Sequence, residues 1–167
     1  IEDYTTNKKR LKEIASALLT NDELAEIRIN ECIERFVGYC NMPSIRKALS
    51  AARYAAWHHP RMLRLEVTNE RRLLKVVDGQ ILRGVIDRCV LGYDGDRVIK
   101  AEILDFKTDQ RETQVSLEDW VRERVSHHGP QLNYYRRVIA EQYGIDPREI
   151  QVTLLLLSED RDISVAD

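Results

Sequence analysis

Near residue 61 the spacing of apolar residues changes its period, and that change restricts the chain to folds in which helices precede a sheet. Before it, Leu11, Ile14, Leu18 and Leu19 recur at helical spacing, and Thr20 to Glu23 offers a capping box ahead of Leu24, Ile27 and the run to Phe36, so two helices are expected. Pro43 stands at a first helical position and opens a third, through Ile45, Ala48, Leu49, Ala52 and Ala56, ending near Trp57 and Pro60. From Met62 the residues Leu63, Leu65 and Val67 alternate with Arg64, Glu66 and Thr68, the period of a strand with one buried face. The turn pairs Asp78-Gly79 and Asp94-Gly95 divide the stretch from Met62 to Thr108 into a meander of three antiparallel strands.

Beyond a polar connection from Asp109 to Ser116, a short helix is expected over Leu117 to Val125, interrupted by His127, His128 and Gly129. Pro130 then restarts a helix to Tyr143, which Gly144 stops and Pro147 keeps from resuming. Ile150 to Leu157 is almost continuously apolar and reads as a strand buried on both faces. The expectation is therefore an α/β fold with N-terminal helices and a mixed central sheet: a three-strand antiparallel meander, a helix and a further strand. Residues 1–60 would form a helical cover and 61–167 the core carrying the site, within a single domain of residues 1–167.

A chain of 167 residues suffices for such a domain but not for an ATP-driven motor as well. It opens on Ile1 rather than Met and ends at Asp167 without a cap, which suggests a C-terminal piece of a longer polypeptide. The formal net charge of −2 gives no basic field to draw the whole domain onto DNA, so any nucleic-acid role must rest on a local site. No apolar run approaches the ~18 residues a membrane span needs, and no signal-peptide pattern opens the chain, so a soluble, cytoplasmic protein is expected. Cys32, Cys40 and Cys89 match neither a zinc site nor a disulfide framework and are read as ordinary buried thiols.

The alternation of strand side chains puts Ile81, Arg83, Val85, Asp87 and Cys89 on one face of the second strand, and Ile99, Ala101, Ile103, Asp105 and Lys107 on one face of the third. Pairing across the Asp94-Gly95 turn lets Asp87 and Asp105 project into the same space. Two close carboxylates repel and lose hydration unless a cation compensates them. Oxygen ligands with room for water and a phosphate suit Mg²⁺ or Mn²⁺ better than zinc, and the backbone carbonyl of Phe106 is a further candidate ligand. Lys107 is the only lysine with a carboxylate two residues before it. Its ammonium beside such a metal could orient a water and balance charge during phosphodiester hydrolysis. The competing reading is a buried structural ion pair.

Gly84-Val85-Ile86-Asp87-Arg88, Ile103-Leu104-Asp105-Phe106-Lys107-Thr108 and Gln131-Leu132-Asn133-Tyr134-Tyr135, in that order, resemble the PD-(D/E)XK nuclease superfamily, in particular nuclease domains of the RecB and AddA type attached to DNA-repair helicases. The resemblance implies a restriction-endonuclease-like core, metal-ligand aspartates at Asp87 and Asp105, a catalytic lysine at Lys107, and a Gln-x-x-x-Tyr pair at Gln131 and Tyr135. That pair sits one helical turn apart, and would hydrogen-bond near the metal or contact DNA. The alternative is that Tyr135 packs with Leu132 and Ile139 while Gln131 caps the helix. The resemblance further implies a Mg²⁺-dependent exodeoxyribonuclease acting on single-stranded DNA in double-strand break repair and recombination. A helicase in the same polypeptide and a second subunit of AddB or RecC type would be its partners.

The family's histidine ligand, in an N-terminal helix, has no counterpart before Leu65: His58 and His59 sit beside Pro60, so the true one is expected upstream of Ile1. His127 and His128 are weaker replacements in a site that prefers oxygen. For Glu66 an ion pair at the surface competes with an accessory acidic role, and Arg83, Arg88, Arg136 and Arg137 are candidates for phosphate contacts or plain surface residues. No cysteine follows Cys89, which disfavours the iron–sulfur branch of the superfamily. The alternative function is a catalytically silent nuclease fold that binds DNA or a partner subunit.

Overall fold

Among the described residues four helices come first: α1 (Lys8–Leu18), α2 (Asn21–Glu26), α3 (Ile29–Asn41) and α4 (Pro43–Leu49). The computed structural model describes residues 7–58, 64–77 and 80–166, so the strand start at Met62, the Asp78-Gly79 turn, His59 and Pro60 lie outside the described residues. The capping box forms as the sequence requires: the Thr20 side chain accepts from Glu23 N while Glu23 takes the Thr20 N–H at 2.8 Å. The expected second helix is broken, because Ile27 is extended (φ −95, ψ 130) between α2 and α3. No Gly or Pro marks that break. The third also stops early, at extended Ser50, and continues as a tighter 3-10 run over Ala51–His58. Cys40 is buried as expected, whereas Cys32 is exposed on α3.

The chain divides into two compact units, Ile1–Arg53 and Tyr54–Asp167. In the first, α1 packs on α3 and α3 on α4. The second is built on a five-stranded sheet in the order β1 (Arg64–Val77), β2 (Gln80–Asp94), β3 (Arg97–Lys107), β4 (Ile150–Leu156), β5 (Arg161–Ser164). β1 to β3 form the antiparallel meander, β4 joins β3 in parallel, and β5 returns antiparallel along β4. The sheet is thus mixed. β5 is an addition to the expected elements: it is four residues long, follows a left-handed Asp160 (φ 50), and has no hydrophobic alternation to announce it.

Helix α5 (Leu117–Tyr143) connects β3 to β4 and corrects the broken-helix expectation, since it runs 27 residues unbroken through His127, His128, Gly129 and Pro130. A proline inside a helix costs about 3 kcal/mol or more. Trp120, Leu132, Tyr135, Val138 and Ile139 are buried along the helix, at roughly 1.5–3 kcal/mol for each fully buried large apolar side chain, so packing outweighs the lost hydrogen bond. Ser116 caps the start by accepting from Asp119 N, and Gly144 (φ 65) supplies the left-handed residue that ends it. The core lies between α5 and one face of the sheet, with Cys89, Leu91, Ala101, Ile103, Val152, Leu154 and Leu156 from the strands.

Candidate active site

The β2–β3 ladder pairs Arg88 with Leu104, and its next step would set Asp87 directly opposite Asp105. Pairing stops there. Beyond this point the Phe106 N–H needs an acceptor, and Asp87 Oδ2 takes it at 2.7 Å. A side-chain carboxylate thus replaces a strand carbonyl where β2 leaves β3. In extended backbone the N–H and C=O of one residue point toward the same neighbour, so the Phe106 carbonyl is also on Asp87's side.

Asp87 lies where the inward set of β2 changes. Strict alternation puts Arg83, Val85, Asp87 and Cys89 on one buried face, but Arg83 and Val85 are exposed, while Ile86, Cys89 and Leu91 are wholly buried in the core. The inward-facing residues pass from even to odd positions between Ile86 and Cys89. Across on β1, Glu70 adopts a left-handed φ of 52, and Glu70 and Asp87 fall between the Asn69–Arg88 and Arg71–Ile86 pairs without a pair of their own. A non-glycine residue there is strained by about 1–3 kcal/mol. The strain coincides with the switch of facing, which strict alternation cannot express.

Asp105 is 3% exposed. Lys107 Nζ stands 2.6 Å from its Oδ2, an ion pair in which Oδ2 has no aligned hydrogen-bond donor among the described residues. Burial pushes the Asp105 carboxyl above the ordinary carboxylate range; Lys107 pulls it back, and the negative charges of Asp87 and Asp109 push it further up. A buried oxygen left in this state, next to a second carboxylate, fits a hard divalent cation. Among the described residues no group of three or more His, Cys, Asp and Glu side chains is arranged to hold a metal, so the rest of a coordination shell would come from water, backbone and substrate oxygens.

Gln131 and Tyr135 meet as their spacing implies: Gln131 Nε2 donates to the Tyr135 phenol at 2.7 Å. Tyr135 is only 2% exposed and belongs to the core, and its ring crosses Gly84, where a Cβ would lie 2.5 Å from Cε1. Gly84 is therefore required by close approach. The packing alternative holds for Tyr135, while Gln131 binds the phenol instead of capping a helix that has no end there.

His127 and His128 are helical, their rings 4.7 Å apart. His128 Nε2 is buried without a hydrogen-bond partner among the described residues, and burial, then the Lys107 charge, hold the imidazole below its ordinary pKa. Arg136 is buried, donating to the Val165 carbonyl at 2.7 Å, and Arg88 reaches Asn69 at 3.1 Å; Arg83 and Arg137 are exposed. Glu66 pairs with Arg64 at 3.5 Å. Burial lifts the Cys89 thiol to about 11, which makes it an inert core residue. Sequence reasoning missed the ion pair of Asp109 with Arg124 at 2.9 Å. Arg124, His128 and Leu132 recur every four residues on α5, a signal hidden by the expected interruption at His127, His128 and Gly129.

The family model described as the PD-(D/E)XK nuclease superfamily matches residues 3–165. No curated protein matches the chain.

Proposed function

The chain belongs to the PD-(D/E)XK nuclease superfamily, and from that premise we propose that it is a metal-dependent deoxyribonuclease domain whose site is Asp87, Asp105 and Lys107. The observation that carries this reading is the end of the β2–β3 ladder, where Asp87 and Asp105 come to adjoining strand positions and the buried Asp105 Oδ2 meets the Lys107 ammonium but no aligned hydrogen-bond donor among the described residues.

In this reading Asp87, Asp105 and the Phe106 carbonyl hold Mg²⁺ or Mn²⁺, which when bound polarises the phosphoryl group and activates water. Asp87 is kept in place by the Phe106 N–H. The Lys107 ammonium, now against Asp105, orients the attacking water and balances the negative charge that grows on the phosphoryl oxygens. Tyr135 fixes Gly84, three residues before Asp87, and Gln131 fixes the phenol, so both act by positioning β2.

The finer reading is an exonuclease domain of a RecB/AddA-type helicase-nuclease in double-strand break repair, taking single-stranded DNA from a helicase in the same polypeptide, with an AddB- or RecC-type subunit as partner. The blocks around Asp87, Asp105 and Gln131 support it. No described helix is long and apolar enough to cross a membrane. The test is cleavage of end-labelled single-stranded DNA with Mg²⁺ or Mn²⁺, with chelator and Asp105→Ala as controls. Cutting that needs both cation and Asp105 is expected; no cutting, or equal cutting by Asp105→Ala, would refute the proposal.

A further inference from the structure

Two residues past Lys107 the chain is gripped from two sides. Arg124 Nη1, on α5, donates to Asp109 Oδ1 at 2.9 Å, and the Ser158 hydroxyl, just after β4, donates to the Asp109 carbonyl at 2.6 Å. Neither partner is a loose surface group: the Arg124 side chain is 19% exposed and that of Asp109 31%. Asp109 has left the β-ladder, which ends with the Lys107–Leu156 pair, so these bonds replace sheet pairing just where β3 stops.

Lys107 is the last residue of β3, on a long side chain that is 22% exposed and held near Asp105 by an ion pair. A flexible ammonium at a strand end would sample many rotamers if the following backbone were free. We propose that Asp109 is a positioning residue: bound by Arg124 and Ser158, it clasps the chain leaving β3 and so keeps the Lys107 ammonium against the Asp105 carboxylate. His128 follows one turn beyond Arg124 on α5. The restraint itself is independent of the nuclease reading; only its consequence for cleavage rests on that reading.

The test is acylation of lysines by an amine-reactive reagent, read peptide by peptide by mass spectrometry. Lys100, on the same strand and paired with Glu149 at 3.1 Å, is the internal reference. Asp109→Asn and Arg124→Gln should each raise Lys107 labelling several-fold relative to Lys100, the double variant should add nothing, and Arg124→Lys should fall between. Ser158→Ala, which leaves the ion pair intact, should raise the ratio as well and keeps the test open if Asp109→Asn does not fold. An unchanged ratio in folded variants, or effects that add in the double variant, would overturn the clasp.

Against single-stranded DNA the same variants should lose about tenfold to a hundredfold in kcat with KM nearly unchanged. If the unsubstituted protein does not cut DNA, the nuclease reading fails, and the labelling ratio alone still decides the clasp.

Discussion

Glu102 and Asp105 are three residues apart on β3, on opposite faces of the sheet, and both are shut away from solvent. Glu102 accepts a 2.8 Å hydrogen bond from the Thr153 hydroxyl on β4, within a paired region of the sheet. Asp105 instead stands where the β2 side of the sheet has opened, its Oδ2 facing an ammonium and no aligned donor among the described residues. Burial alone therefore does not mark a candidate metal ligand. What separates the two is whether the fold supplies the hydrogen bonds that a buried charge requires.

The largest effect should come from exchanging each carboxylate for alanine. Asp105→Ala is expected to lower metal-dependent DNA cleavage by about a thousandfold or more while leaving thermal stability unchanged or improved, because an incompletely compensated buried charge is removed. Glu102→Ala should do the reverse, keeping activity per folded molecule and losing about 1–3 kcal/mol of stability through the lost hydrogen bond from the Thr153 hydroxyl. Denaturant melts beside cleavage rates would show it; equal behaviour of the two variants would dissolve the distinction.

Gly84→Ala tests whether the opened end of β2 depends on Tyr135. The added methyl would sit 2.5 Å from the ring edge, so a loss of about 1–3 kcal/mol is expected, together with lower activity from displacement of the strand carrying Asp87. Pairing it with Tyr135→Leu should restore part of the stability. A fully stable Gly84→Ala would show that the ring moves aside freely and positions nothing.

The smallest effect concerns protons. Because burial raises the Asp105 carboxyl in the folded protein, the fold holds that proton more tightly than the unfolded chain does. Its contribution to stability is present at acid pH and is lost as pH rises from the ordinary carboxylate range through the raised value. Asp105→Asn should flatten this fall in Tm, and saturating Mg²⁺ should offset it in the unsubstituted protein alone. An unaltered slope in Asp105→Asn would show that Asp105 ionises in the fold as easily as in the open chain.

The meander, its mixed extension by β4 and the meeting of Asp105 with Lys107 are legible in the sequence because two-residue alternation, turn pairs and a shared strand face are local signals. Tertiary decisions are not. His127, His128 and Gly129, followed by Pro130, read as an interruption until the buried stripe from Trp120 to Ile139 is counted against it. Strict alternation assigns Arg83 and Val85 to Asp87's buried face because it has no place for the backbone switch opposite Glu70. Asp109 and Arg124 carry no motif, and only an unbroken α5 brings them together. β5 is too short and too polar to signal itself.

The central claim is that Asp87 and Asp105 share one divalent cation. Titration of the metal-free protein with Mn²⁺, monitored by the loss of the free-ion electron paramagnetic resonance signal, tests it without relying on cleavage. One saturable site that disappears in both Asp87→Ala and Asp105→Ala, and persists in Glu102→Gln, is the expected result. Mn²⁺ binding that survives either aspartate substitution unchanged would contradict it.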